Sequence, residues 1–460
     1  MHSTVALRER ACVSALLTQV LHTIKREHRL PDRRNMRTWR QLLLAILVQR
    51  STRLIRLGQV VMSQRRTRTA KAAAMALTSF LTTSHFPMRP VALHVLEQLL
   101  RHLAPQHLVT YRGKVLLVID PTEYAKRSRG RGKKNRQMQY IGRVRHTTQR
   151  RRKRKGKGRG GKEAASPAPV RTTYGYVDIW TGIVLRGKRF LPLARALFSS
   201  QHPALRSQNR TEEGVLGQAL AVLRRVGLEA IIVGDRGLGR KELIIRLARA
   251  SYDLVFRIDP DITVIPAAET EGRLLDAHLE TRPFLGEATW ERGEQDTLSG
   301  RVRTARVRLQ FSRSGRKGDV QEATVMVVQF VPEDEHLDPL TLVTTLPVET
   351  LSQVRAVLRI YSLRWTIETA FETMHAWGQD AFMVRAWRAI DRLLWTLACS
   401  YALVVLLLVL RSMHSLRRQA TALLKERAVL GRRLTVGKLA EAIGLDYLHH
   451  RRAWITAWSP

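Results

Sequence analysis

Between Ile360 and His375 the chain reads Ile-Tyr-Ser-Leu-Arg-Trp-Thr-Ile-Glu-Thr-Ala-Phe-Glu-Thr-Met-His. As a helix turning about 100° per residue, this segment places Tyr361, Arg364, Glu368 and His375 within a sector of about 60°. Ile360, Leu363, Ile367, Ala370 and Met374 gather in a separate apolar stripe, centred roughly 110° away. One face therefore docks on a core, while the other presents a carboxylate flanked by a guanidinium, a phenol and an imidazole. Two more carboxylates stand at the ends of apolar runs: Asp120 after Val115–Ile119, and Asp235 after Glu229–Val233 and Gly234.

Three carboxylates brought within a few ångströms cannot all stay ionised without a cation. Oxygen ligands suit Mg²⁺ or Mn²⁺, and two such ions about 4 Å apart would clamp an in-line phosphoryl displacement. One would activate the attacking water or 3′-hydroxyl, the other would stabilise the leaving oxygen, and Arg364 would hold a phosphate beside them. Each residue also has an ordinary explanation. Asp120-Pro121-Thr122-Glu123 has the pattern of a helix cap. Asp235 before Arg236-Gly237 suits a turn, and Glu368 with Arg364 suits a surface ion pair.

The elements that must bring these residues together form a mixed α/β pattern. Val115–Ile119 and Glu229–Val233 read as strands buried on both faces, delivering Asp120 and Asp235 at their C-terminal ends, where α/β sheets commonly place ligand sites. Between them, Val170–Leu191 has strand character broken at Thr181-Gly182, a hairpin signal. Glu212–Val226 is an amphipathic helix with Thr211 as its cap. A helix over Arg240–Ala250 and a strand over Leu254–Ile258 follow. Residues 1–105 read as helices, with helical spacing over Arg40–Met62, Thr69–Thr83 and Val91–Leu103. From 259 to 340 the pattern turns to alternating strands, Arg301–Phe311 and Glu322–Val331, with glycine-rich turns. Leu340–Leu346 reads as a return strand, and the helix bearing Glu368 as starting near Ser352. Residues 413–460 are basic and helical, and Leu434–Leu445 weakly resembles the first part of a helix-turn-helix.

Asp120 after VLLVI, the GDRG at 234–237, and Tyr361-x2-Arg364-x3-Glu368 together resemble the DDE transposases of bacterial insertion sequences, in the branch with a Tyr-Arg-Glu-Lys signature. The resemblance runs from about Val115 to Leu410. It implies an α/β fold with an RNase H-like catalytic core, in two parts over 106–258 and 341–412. An all-β insertion over 259–340 interrupts that core, and helical N- and C-terminal regions flank it. It further implies two Mg²⁺ ions, replaceable by Mn²⁺, and cleavage at transposon ends with strand transfer into target DNA by a dimer. Asp120, Asp235 and Glu368 become the catalytic metal ligands. Arg364 and His375 become phosphate contacts, and Tyr361 a DNA-positioning group. The signature lysine is expected at 375, where this chain has His375, whose charge is conditional at neutral pH. The family stacks an aromatic of the insertion on a displaced base. Trp290 is the candidate, set against an ordinary packing role like that expected of Trp365 and Trp377. Two other readings stay open: an inactive, DNA-binding remnant, and an RNase H-like nuclease without strand transfer.

Composition agrees with a polyanionic partner. Lys+Arg 79 against Asp+Glu 38 gives a net charge of +41 over 460 residues, far beyond what solubility needs. Residues 126–162 hold 18 Lys or Arg among 37 residues, seven glycines and no acid. Such a segment buries too little to fold alone and reads as a mobile basic arm. Within it Arg150, Arg151, Arg152, Lys153, Arg154 and Lys155 are expected to grip DNA backbone, and Lys126 and Arg127 to belong to the arm rather than the site. The N-terminal helices are then expected to recognise terminal inverted repeats. Two cysteines, Cys12 and Cys399, argue against a disulfide framework or a Cys-type zinc site and for a reducing cytoplasm. No signal peptide is read at the N-terminus. Leu393–Leu410, 18 residues without a charge, sits at the lower length limit of a membrane span and is expected to be a buried helix instead.

Overall fold

Helical spacing of Leu, Ile, Val and Ala dominates the first hundred residues, and the computed structural model has four helices among the described ones: α1 (Arg33–Gln49), α2 (Leu54–Arg65), α3 (Ala70–Thr83) and α4 (Met88–Arg101). The structure describes residues 33–65, 69–126, 138–146, 171–293, 296–312, 320–410, 417–418, 421–422, 424 and 434–449. The single helix expected over 40–62 is two. Arg50 takes a positive φ of 46°, and the Ser51 hydroxyl accepts the Arg53 N–H at 3.2 Å, a local bond that competes with helix continuation. Thr69 caps α3 by accepting from Ala72 N at 3.1 Å, as its short polar side chain favours.

Eleven labelled strands lie in one thirteen-stranded sheet. The first six are β1 (Lys114–Lys126), β2 (Gly142–His146), β3 (Arg171–Leu185), β4 (Arg189–Phe198), β5 (Ala230–Gly234) and β6 (Asp253–Arg257). β1, β3 and β4 form an antiparallel meander, and β5 then β6 add in parallel on the other side of β1. The hairpin turn falls at Arg186–Lys188, not at Thr181-Gly182. There β3 carries only a bulge, whereas Gly187 supplies the φ of +78° that the turn needs. The helix after β4, α5 (Gln208–Arg225), starts four residues before the expected position, at an N-cap Ser207 rather than Thr211. α6 (Lys241–Arg249) joins β5 to β6.

Beyond β6 the sheet does not stop. β7 (Thr263–Pro266), α7 (Leu275–Glu280), β8 (Gly286–Glu291), β9 (Thr297–Ser312), β10 (Val320–Pro332) and β11 (Leu340–Thr344) follow. β11 pairs antiparallel with β6, β10 with β11, and β9 with β10, so this region continues the central sheet and includes a short helix. α8 (Leu351–Ser362) opens with a capping box, Thr350 with Gln353. It leads to α9 (Trp365–Ala376) and the long α10 (Trp387–Val409). One apolar core runs from Trp39 in α1 to Tyr447 in α11 (Val436–His449). α10 lies at its centre, packed on α1, α3, α4, α11 and β4. It is the one helix, among the described residues, long and apolar enough to cross a membrane, and its apolar window is wholly buried in the protein. Arg392 fastens it to the α3–α4 turn by donating to the carbonyls of Phe80 at 3.0 Å, Ser84 at 2.7 Å and Phe86 at 2.8 Å.

Candidate active site

The register of two parallel strands sets the first pair of carboxylates. Val115 lies opposite Ala230 and Ile119 opposite Gly234, so the next residues, Asp120 and Asp235, leave neighbouring strands at the same level, about 4.8 Å apart in backbone. Asp120 is no helix cap. β1 runs on through Pro121 to Lys126, paired with β3. Pro121 is tolerated because β1 has already lost its parallel neighbour. Asp235 caps a short 3₁₀ turn, Arg236–Leu238.

The third carboxylate arrives across a break. The expected single helix through Glu368 is divided at Leu363–Arg364, where Arg364 N bonds to Tyr361 O at 3.0 Å and Ile367 N to Arg364 O at 3.1 Å, the tightened spacing of a 3₁₀ turn. Tyr361 ends α8, Glu368 lies in the first turn of α9, and Arg364 is the pivot between them. The Arg364 guanidinium, 5% exposed, reaches Glu368 at 2.7 Å, Asp120 at 3.1 Å and Asp235 at 4.0 Å. This is a buried cation shared by three acids rather than a surface ion pair. Tyr361, 2% exposed, donates its hydroxyl to Asp235 at 2.9 Å.

The acids respond differently to this setting. Burial pushes Asp120 from an ordinary 3.8 up to about 7, with Asp235, Glu368 and Glu212 adding repulsion that Arg364 only partly offsets. Burial likewise raises Glu368 against the pull of Arg364. Burial also works against the Asp235 carboxylate, but Arg364, the Arg236 N–H and the Tyr361 hydroxyl together outweigh it and hold Asp235 below its usual value. The set is short of positive charge. Its donors are all carboxylate oxygens, the chemistry that suits Mg²⁺ or Mn²⁺. Among the described residues, no three such donors stand close enough to hold a metal ion together as they lie, because Arg364 occupies the space between them.

Residues 200–403 match the family model of the transposase DDE domain. Over that span the chain is similar to the DDE domain of transposases. No curated protein matches the chain. The matched span holds Asp235 and Glu368 together with Tyr361, Arg364 and His375, while Asp120 precedes it. A transposase DDE domain implies an RNase H-like core, and the order β4-β3-β1-β5-β6 is the part of the sheet that carries the two aspartates.

The other anticipated residues lie around the carboxylates. His375, two turns beyond Glu368, approaches the Thr122 hydroxyl with Nε2 at 3.4 Å and Asp380 with Nδ1 at 3.9 Å. It is joined to the site through β1 and not directly to the acids. Trp290 packs on Tyr361 and Phe330, with ring centroids 6.4 and 6.0 Å apart. With Trp365, Arg257 and Arg292 it lines a cavity of about 370 Å³ that opens on Asp235 and Glu368. Trp377 is a core residue against Tyr401.

The basic segment divides. Lys126 is the last residue of β1, its ammonium 3.3 Å from the centre of the Phe382 ring and 3.2 Å from the Phe382 carbonyl. Residues 138–146 are also ordered, held by Tyr176 donating to Gln139 O at 2.7 Å and by β2 pairing with β3. Arg150, Arg151, Arg152, Lys153, Arg154 and Lys155 lie outside the described residues, as does Arg127.

Sequence reading missed Glu212. It is buried in the first turns of α5, accepts from Gln208 at 2.9 Å and pairs with Arg240 at 2.7 Å. Arg240 also donates to Gly237 O at 2.9 Å, so Glu212 steadies the loop that begins at Asp235. The signal was present: Glu212, Val215, Leu216 and Ala219 share the buried stripe of α5, where an acid is out of place unless paired.

Proposed function

We propose that this protein is an active DDE transposase, cleaving DNA at transposon ends and transferring the cut strand into target DNA by a cut-and-paste route. The observation that carries this reading is the shared level of Asp120 and Asp235 on parallel strands, with Glu368 joined to both through Arg364. DDE transposases are in general dependent on a divalent metal, and Asp120, Asp235 and Glu368 would hold two Mg²⁺ ions, or Mn²⁺ in their place. When bound, these ions supply activation of the attacking hydroxyl and charge stabilisation at the leaving oxygen.

The chain's own residues do the rest. Tyr361 fixes the rotamer of Asp235 and through it helps to position DNA. Arg364 trades carboxylate oxygens for a phosphate, for which its planar fork is suited. His375 contacts a phosphate farther along β1. Arg150–Lys155 grip backbone without reading sequence, and the helices of residues 1–105 recognise the terminal inverted repeats. The catalytic core spans 106–258 and 341–412, with a β-rich insertion at 259–340 and a basic region at 413–460. The working form is a homodimer on paired ends, in the bacterial cytoplasm at the nucleoid. His375, in place of the signature lysine, favours one competing reading, an inactive DNA-binding remnant.

The test is incubation of the purified protein with supercoiled plasmid carrying the element's ends, in Mg²⁺, Mn²⁺ or EDTA, beside Asp235→Ala. Metal-dependent breaks at the ends, absent in the variant, and joined products are expected. Breaks without joining make it a nuclease. Binding without breaks leaves the remnant.

A further inference from the structure

A second cleft, of about 390 Å³, opens at the edge of the sheet where β4 ends, between α5 and α10. Arg89, Arg206 and Arg210 line it, all exposed. Asp391 is the one acid in the lining, and it is already committed to Arg195, whose guanidinium reaches it at 2.8 Å. Arg89 donates only to Gln218, at 3.2 Å. No ion pair neutralises Arg206, Arg210 or Arg89 among the described residues. Partial burial and the nearby Arg195 hold Arg89 below the ordinary guanidinium range, with Asp391 opposing. Like charges gathered in a concave, partly apolar wall focus a positive field.

The floor is aromatic. Trp387 packs on His202 with ring centroids 4.6 Å apart, and His202 on Tyr140 at 4.5 Å. Trp387 N donates to the Gln139 side chain at 2.9 Å. The cleft is thus built against residues 138–146.

Its place relative to the carboxylates follows from register. Leu197, in the cleft, lies opposite Asp178, which lies opposite Thr122, two residues beyond Asp120. Two strand spacings, about 10 Å, separate β4 from β1. Both sites open at the same end of the sheet, within the span of a single duplex.

We infer that the cleft formed by Arg89, Arg206, Arg210 and Trp387 is a second DNA site, gripping the phosphodiester backbone of the duplex whose reacting bond lies at Asp120, Asp235 and Glu368. It rests on the transposase reading for its substrate, but not on catalytic competence. Arginines of this kind position DNA without specifying sequence, and each phosphate contact contributes about one counterion to the salt dependence.

The test is fluorescence anisotropy of the full chain with a labelled 30-base-pair duplex in EDTA across a range of salt, comparing wild type, Arg206→Gln/Arg210→Gln and a charge-matched control, Arg224→Gln/Arg249→Gln. The cleft residues and the control residues are all exposed, so folding is not at issue. Arg224 lies in the last turn of α5, at the far end from Arg206. The cleft variant is expected to lose roughly tenfold or more in affinity and about 1.8 from the slope of log K against log salt, with the control within threefold of wild type. Equal behaviour of the two variants overturns the cleft and leaves the DNA-acting reading intact. A wild-type chain that binds no duplex removes both.

Discussion

Replacing Asp120 by Asn tests the electrostatics of the candidate site without any appeal to catalysis. In the folded, metal-free protein the Asp120 carboxyl titrates near about 7, against an ordinary 3.8. The sign follows from proton counting. Between these values the folded chain binds more protons at this position than the unfolded chain, so stability falls as pH rises through the window and levels off above it. At about 1.4 kcal/mol per unit, the whole shift costs wild type about 4 kcal/mol by neutral pH. The side chain is 15% exposed, so solvent screening trims this only modestly. Asparagine carries no such cost. Urea unfolding of wild type and Asp120→Asn in EDTA, from pH 4.5 to 8, should show the variant gaining on wild type by about 3 kcal/mol up to pH 7 and no further beyond. Added Mg²⁺ should stabilise wild type and leave the variant almost unmoved. A difference that stays constant with pH, or shrinks as pH rises, would refute the claim that burial keeps this acid short of charge compensation.

Three other substitutions probe the surroundings. Tyr361→Phe removes the hydroxyl that Asp235 accepts at 2.9 Å and should cost about 1.5–3 kcal/mol in urea unfolding at pH 7, with a smaller loss below the Asp235 titration. Arg195→Met leaves Asp178, which Arg195 contacts at 2.6 Å, buried without its cation. A loss of about 3–5 kcal/mol is expected, and an unchanged unfolding midpoint would exclude a structural role for that pair. His375→Lys puts a permanent cation beside Thr122, and should tighten binding of end-containing duplex at pH 8 by several-fold, read by anisotropy.

The acids that meet around Arg364 were easier to single out in the sequence than their geometry was. Asp120, Asp235 and Glu368 declare themselves because apolar runs and a helical stripe aim polar groups at fixed places. Their meeting depends on the parallel register of β1 with β5, which no local pattern encodes. The break at Leu363–Arg364 was hidden because Ile360, Leu363 and Ile367 keep helical spacing across a tightened turn. Asp120-Pro121 looked like a cap because local rules prefer it there, and long-range pairing with β3 overrides them. Residues 259–340 looked like an insertion set apart, since alternation announces strands without saying which sheet they join. Glu212 was overlooked because a buried acid on an apolar stripe is read as a flaw in the stripe until Arg240 is seen beside it.

The continuity of the sheet across β6 and β11 bears on how copies of such a gene decay. An internal deletion of 259–340 would not excise a self-contained module. It would strip β11 of its antiparallel neighbour β10 and expose Thr341-Leu-Val-Thr344, whose side chains are all buried, as an open apolar edge that invites pairing between chains. Shortened copies of this protein should therefore accumulate as insoluble aggregate, and not as soluble protein.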